Sequence, residues 1–178
     1  HKAITIIQFK LEGEIIRRRP EFEMDDRMLL HHIDLKRGVV HIDGKDYTLK
    51  DTNWPTLDPK DPYRLSIEEE DLIRKILHSF ESSEKMKKHM RCFFRHGGMY
   101  QVCNSNLLFH ASIPMNPDGT FKSVRILGQD YKGRALLDRV DQLIRTAYFK
   151  TGEQEEVEYA HDYIWYLWGG KDSPLFDK

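Results

Sequence analysis

The sequence has little cysteine, no long apolar run and no excess of either charge. Its 178 residues include only two cysteines, Cys92 and Cys103. A disulfide framework or a zinc cluster needs more thiols or closely spaced Cys and His pairs, so we expect a reducing, cytoplasmic location. No apolar run approaches the roughly 20 residues that a bilayer-spanning helix needs, and the N-terminus lacks a signal-peptide pattern. We therefore expect a soluble protein with no membrane partner.

The charge balance argues against nucleic-acid binding. Lys and Arg number 28 against 29 Asp and Glu, which gives a formal net charge of -1, whereas a nucleic-acid-binding surface is strongly basic. Hydrophobic residues make up 39% and aromatic residues 11% of the chain, which is typical of a folded globular protein. Because the chain begins at His1 without methionine, we expect it to be part of a longer protein.

Several well-known catalytic motifs are also missing. The sequence contains no Walker loop, no GxSxG elbow, no HExxH pair and no GxGxxG turn. These absences remove support from nucleotide-binding, serine hydrolase, zincin and dinucleotide-binding functions.

The first third of the chain predicts two helices and a hairpin. Apolar spacing over residues 3–18 predicts a helix that ends before Pro20, with Ile4, Ile6, Ile7, Leu11 and Ile15 on its inner side. We predict a shorter helix over residues 24–33, with Leu29 and Leu30 inward. Residues 39–49 form two strand-like runs around Asp43 and Gly44, which is typical of a type I′ hairpin. Three prolines predict a helix-free joint at residues 51–63.

The middle of the chain carries a strong helix-start signal. Ser66 and Glu69 have capping-box spacing, so we predict a helix from this point that breaks at Ser82 and Ser83. A second helix follows and ends at Gly97 and Gly98. The predicted apolar stripe of the first of these helices consists of Leu72, Ile73, Ile76, Leu77 and Phe80.

The last part changes from strands to helices. We predict strands at residues 99–103, 107–111 and 121–127, followed by amphipathic helices at residues 133–149 and 154–167. The whole pattern indicates an α+β or α/β fold class.

His110 is the residue best placed for a functional role such as binding a metal ion. It ends the apolar run from Leu107 and precedes a turn, and residues at strand ends often form binding sites on a rigid scaffold. An imidazole there can bind a divalent metal ion, although the residues alone favour a structural role and one ligand does not make a metal site. We interpret four other histidines as surface residues: His31, His32, His78 and His89.

Lys132 and Arg134 form a second candidate site. They open the helix predicted at residues 133–149, where the helix dipole favours an anion over a cation. A bound phosphate would relieve that conflict, and simple exposure to solvent is the alternative. Trp165 and Trp168 lie in an aromatic C-terminal helix, which we expect to pack against other parts of a longer chain.

Four blocks of sequence, in this order, resemble fructose-1,6-bisphosphatase class 3. The first block joins residues 7–12 to residues 18–20, and the second joins residues 106–110 to Ile113 and Pro114. The third joins residues 133–134 to residues 136–138, and the last joins residues 165–168 to residues 173–176. The resemblance covers essentially all 178 residues but only a middle section of that longer enzyme.

This resemblance implies a fold and a division of the chain. Class 3 enzymes are similar to calcineurin-like metallophosphoesterases, which have a β-sandwich with a two-metal centre and helical insertions. Residues 1–96 would then be mainly a helical insertion with a hairpin near residues 39–49. Residues 97–178 would belong to the metallophosphoesterase core.

The resemblance also implies an activity. The longer enzyme would hydrolyse fructose 1,6-bisphosphate to fructose 6-phosphate, a step of gluconeogenesis, with two metal ions that are usually manganese. His110 would be a metal ligand, while the other ligands would lie outside this chain. We therefore expect the 178-residue chain alone to be inactive. Lys132 and Arg134 would recognise a substrate phosphate or a charged effector.

Two other functions stay open. The first is a non-catalytic helical module for assembly or regulation, which the amphipathic helices favour. The second is a metallophosphoesterase that acts on another phosphomonoester substrate. We also expect a homo-oligomer, or association through exposed apolar surface near Trp165.

Overall fold

Helices and short antiparallel strands alternate along the chain in the computed structural model, which describes residues 2–176. The chain divides into two compact units, one ending at residue 83 and the other beginning at residue 84. This division follows the packing of the chain. The assignment of residues 1–96 to an insertion and 97–178 to a core concerns the longer protein and stays a prediction.

Helix α1 (Lys2–Arg18) is confirmed and ends just before Pro20, which begins a 3₁₀ turn. Its buried face differs in part from the predicted one. Ile6, Ile7 and Ile16 are buried, whereas Ile4 is 48% exposed. Gly13 also lies on the buried face, because an added Cβ would come within 2.0 Å of the Tyr63 ring.

The helix predicted over residues 24–33 is wrong. This segment forms two 3₁₀ turns, Asp25–Arg27 and Leu30–His32, and then enters strand β1 (Ile33–Asp34). The Leu30 N–H donates to the Tyr63 hydroxyl oxygen at 3.1 Å, so a distant side chain takes the place of a helical carbonyl. Leu30 is buried as predicted, in a cluster with Leu57 and Tyr63.

A three-stranded sheet contains the predicted hairpin. Strands β2 (Val39–Ile42) and β3 (Lys45–Thr48) are antiparallel and pair Val39 with Thr48. Asp43 and Gly44 both have positive φ, 49° and 75°, as a type I′ turn requires. Strand β1 adds to β2 as a third strand that the sequence did not predict. The joint at residues 51–63 contains no helix, as predicted.

Helix α2 (Ile67–Ser82) begins with the predicted capping box. The Glu69 N–H donates to Ser66 Oγ at 3.3 Å, and the Ser66 N–H donates to Glu69 Oε2 at 2.8 Å. The helix ends at the predicted break. Much of its apolar stripe is exposed, and Leu77 and Phe80 are 54% and 58% accessible.

The second unit begins with helix α3 (Glu84–His96), which ends at Gly97 as predicted. A hairpin follows, made of β4 (Tyr100–Cys103) and β5 (Asn106–Phe109). The predicted third strand is shorter, β6 (Val124–Ile126), and pairs with β7 (Gln129–Tyr131), which the sequence did not predict.

Helices α4 (Gly133–Phe149) and α5 (Gln154–Tyr166) confirm the last two predicted helices and supply much of this unit's core. The aromatic residues of α5 pack partly within this unit, and their packing against other parts of a longer chain stays a prediction. Tyr159, Tyr163 and Tyr166 are buried within the unit, whereas Trp168 is 74% exposed. Among residues 2–176, no helix has both the length and the apolar character needed to cross a bilayer.

Candidate functional site

The β4–β5 hairpin positions His110. Tyr100 pairs with Phe109 and Cys103 with Asn106, so the strands are joined by a two-residue turn. That turn fits its residues, since Asn104 and Ser105 both have positive φ and asparagine tolerates this conformation well. His110 follows β5 directly, at a bend, and its side chain is exposed. Within residues 2–176 it makes no hydrogen bond or ion pair, so both ring nitrogens are available to a ligand.

An open cavity of about 510 Å³ lies beside His110. Its wall consists of the end of α3, strand β4, the end of β5 and Leu175. The cavity is within the range of small-molecule sites. The described residues that line it are His96, Gly97, Gly98, Met99, Tyr100, Gln101, Leu108, Phe109, His110 and Leu175.

His96 is the second histidine of this cavity, and the sequence analysis did not single it out. It is the last residue of α3 and is exposed. The sequence contains a partial indication of this placement: His96 ends a predicted helix just before the strand that pairs with the strand leading into His110. That placement becomes informative only when the hairpin register is known.

Arg145 holds the end of α3 in place. Its Nη1 donates to the Phe94 carbonyl at 2.8 Å and its Nη2 donates to the Gly97 carbonyl at 3.1 Å. Asp141 orients the guanidinium by accepting from Nε at 2.7 Å. A cation suits this position because the carbonyls at a helix C-terminus have no intrahelical partners. The cap thereby fixes the backbone beside His96.

Arg134 lies next to a residue of the cavity wall. Its guanidinium carbon is 5.8 Å from the centre of the Tyr100 ring, and its Nε is 3.5 Å from Asp138 Oδ2. The Tyr100 hydroxyl donates to Asp138 Oδ1 at 3.0 Å. The side chain of Arg134 is 81% exposed, so the guanidinium still faces solvent.

Lys132 stands immediately before α4, where it is exposed and provides no side-chain cap. Gly133 follows with a φ of 53°, and an added Cβ there would lie 3.1 Å from the Phe121 ring. A glycine therefore suits this tight start of the helix. The structure brings Arg134, through Tyr100, close to the cavity of His110, while Lys132 makes no contact that ties it to that cavity.

The other histidines have ordinary surroundings. His31 Nδ1 is 3.2 Å from the Tyr63 hydroxyl, and burial together with the neighbouring His32 and Arg17 lowers the pKa of His31. His78 and His89 are exposed. No group of three or more His, Cys, Asp or Glu side chains suited to a metal ion occurs in the described part of the chain.

The sequence profile of the family described as Firmicute fructose-1,6-bisphosphatase matches residues 1–178. The chain belongs to this fructose-1,6-bisphosphatase family. The resemblance noted from the four sequence blocks is thereby confirmed.

Curated relatives named fructose-1,6-bisphosphatase class 3 match the whole chain. The chain is 65% identical over 178 residues to one from Bacteroides fragilis, and 64% identical to one from Bacteroides thetaiotaomicron. A relative from Clostridioides difficile is 52% identical. In all three, the match covers 100% of this chain and 27% of the relative, so the chain spans about a quarter of their length. No solved structure matches the chain.

Proposed function

We propose that the longer protein containing this chain hydrolyses fructose 1,6-bisphosphate to fructose 6-phosphate and inorganic phosphate, in gluconeogenesis. The observation that carries this proposal is the 65% identity over the whole chain to a relative named for that activity. The open cavity of about 510 Å³ beside His110 is large enough for a sugar bisphosphate.

We also propose that the protein uses a manganese pair and that His110 is one of its ligands. The structure fits this role because the imidazole is exposed at a strand end and has no partner within residues 2–176. The described residues contain no larger ligand cluster, so the remaining ligands would come from other parts of the longer chain. When bound, the metal pair would supply Lewis acidity and an activated water.

The roles of this chain's residues follow from their placement. The neutral imidazole of His110 would bind without adding negative charge to a centre that must attract phosphate. Arg134 and Lys132 would contact a substrate phosphate or a charged effector. Arg134 is the better placed of the two, since its guanidinium lies near Tyr100, a residue of the cavity wall.

Fold, location and assembly complete the proposal. We place residues 97–178 in the core of a calcineurin-like metallophosphoesterase and residues 1–96 in its helical insertion, in a cytoplasmic protein. A homo-oligomer is supported by exposed apolar side chains such as Phe80 and Trp168, which are 58% and 74% exposed. Burial of such side chains against a second copy would stabilise the assembly.

The test is phosphate release from fructose 1,6-bisphosphate by the longer protein in the presence of manganese. We expect turnover by the wild type and a loss of several orders of magnitude in His110→Ala, because removal of a metal ligand disrupts the centre. His78→Ala is the matched control, an exposed histidine on α2, and should keep full activity. Metal content measured by mass spectrometry should fall only in His110→Ala.

The same assay separates the alternatives. Absence of activity in the wild type, or full activity in His110→Ala, would favour the non-catalytic helical module, which the exposed stripe of α2 supports. Preference for a different phosphomonoester would indicate a related metallophosphoesterase. In a Lys132→Ala/Arg134→Ala double variant we expect a higher KM or a weaker effector response, and unchanged values of both would contradict the phosphate role.

A further inference from the structure

Two histidines line the cavity beside His110, counting His110 itself, and no acidic residue of the described part of the chain lines it. His96 and His110 enter its wall from two different elements, the end of α3 and the end of β5. Tyr100 and Gln101 are the other polar side chains of the wall, and none of the described lining residues is Asp or Glu. The described lining therefore offers histidine N–H groups to an anion such as phosphate and places no carboxylate of its own against it.

His96 is free to serve such a ligand. Its side chain is exposed and forms no hydrogen bond or ion pair with any residue between 2 and 176. Arg145 already binds the Phe94 and Gly97 carbonyls, so the His96 ring is not needed as the cap.

The surroundings strengthen the preference for an anion. Arg95 precedes His96 and is exposed, and the Arg134 guanidinium carbon lies 5.8 Å from the centre of the Tyr100 ring of the wall. Two acids near the wall are already paired: Asp138 accepts from Tyr100 at 3.0 Å and pairs with Arg134, and Asp141, which lies near Gly98, pairs with Arg145. Exposed cations beside a cavity attract phosphate ligands to it.

We propose that His96 contacts the substrate and binds a phosphate group of the sugar bisphosphate in the cavity that it shares with His110. This inference rests on the proposed function. His96 donates an N–H to a phosphate oxygen, whereas His110 would be a ligand of the proposed metal pair. The two histidines therefore differ in what their loss removes: His96 contributes to substrate affinity, and His110 to metal retention.

The test compares His96→Ala and His110→Ala in the longer protein. For His96→Ala we expect KM for fructose 1,6-bisphosphate to rise about tenfold, the effect of one charge-assisted hydrogen bond. Inhibition by inorganic phosphate should weaken by a similar factor, with the manganese content unchanged. His96→Gln, which keeps an N–H donor, should recover part of both losses.

His89→Ala is the matched control. His89 lies two turns earlier on α3 and is exposed, but it does not line the cavity, so its KM and phosphate inhibition should equal those of the wild type. Circular dichroism shows whether each variant is folded. If His96→Ala does not fold, the comparison is made with His96→Gln.

The outcomes are separable. An unchanged KM and unchanged phosphate inhibition in both His96 variants overturn the inference. So does a loss of manganese from His96→Ala, because that would make His96 a metal ligand. If the wild type does not hydrolyse the bisphosphate, the proposed function fails by itself. Calorimetric titration with inorganic phosphate then decides the role of His96, since equal affinity in wild type and His96→Ala would exclude an anion site.

Discussion

At the scale of single residues, the most unusual feature is a fully buried lysine. The Lys10 side chain is 0% exposed, and its Nζ donates to Glu69 Oε2 at 2.7 Å and to the Thr56 carbonyl at 2.6 Å. The same Glu69 oxygen accepts the N–H of Ser66 in the capping box. One carboxylate thus neutralises the ammonium on α1 and caps α2.

We predict that Glu69→Ala lowers the free energy of unfolding by about 3–5 kcal/mol, because it leaves a buried ammonium without its counterion. Urea denaturation of the longer protein, followed by circular dichroism, measures the change. Glu70→Ala is the control, an exposed acid in the same turn, and should change stability by less than about 0.5 kcal/mol. Equal effects of the two substitutions would contradict a special role for the pair.

The pair also predicts a pH dependence. Burial opposes ionisation of Glu69, but hydrogen bonds from Lys10, Thr56 and Ser66 outweigh it and lower its pKa below the ordinary value of 4.5. Below this ordinary value the unfolded chain binds the proton more readily than the folded chain. The contribution of Glu69 is therefore fully present well above pH 4.5 and is lost as the pH falls through the folded pKa.

At the scale of elements, local signals predicted most helices and the hairpins. Ser66 with Glu69, and Asp43 with Gly44, each specify a helix start or a turn within a few residues, and the structure contains both. The segment at residues 24–33 could not be predicted in this way, because Tyr63 binds its backbone from 33 residues away. Strands β1 and β7 are too short, two and three residues, to show an alternating pattern.

The same difference between local and long-range signals applies to the candidate site. His110 was found from its position at the end of an apolar run, which is a local property. His96 was missed because its relation to His110 depends on how α3 leads into the β4–β5 pair. Spatial neighbours that come from different elements carry no local signal.

The C-terminal cap of α3 predicts a local effect. Arg145→Ala removes the hydrogen bonds to the Phe94 and Gly97 carbonyls, so we expect faster hydrogen exchange of the last-turn amides of α3 and a loss of about 2 kcal/mol in stability. Arg145→Lys keeps the positive charge but not the forked geometry of the guanidinium, so it should recover only part of the lost amide protection and stability.

Arg74→Ala provides the control for this cap. Arg74 makes an exposed i,i+3 pair with Asp71 on α2, and exposed pairs of this kind contribute little. If Arg145→Ala and Arg74→Ala left the exchange of the α3 amides equally unaffected, Arg145 would not be what holds the end of α3.

At the scale of the whole molecule, the proposed metal centre would lie only partly in this chain. It covers 27% of the length of its relatives, and its described residues contain no cluster of three metal-binding side chains. We predict that the 178-residue chain alone neither retains manganese after gel filtration nor releases phosphate from fructose 1,6-bisphosphate. Mass spectrometry and a phosphate assay measure both, with the longer protein as the positive control. Stoichiometric manganese with turnover would contradict this prediction.

The sheets of this chain are all built from sequence neighbours. The pairs β2–β3, β4–β5 and β6–β7 are each joined by two residues, and β1–β2 by four. Closing such short loops costs little chain entropy, and contacts of low sequence separation form fast. Each hairpin, including the one that leads into His110, can therefore begin to form during synthesis, as soon as its own residues have left the ribosome.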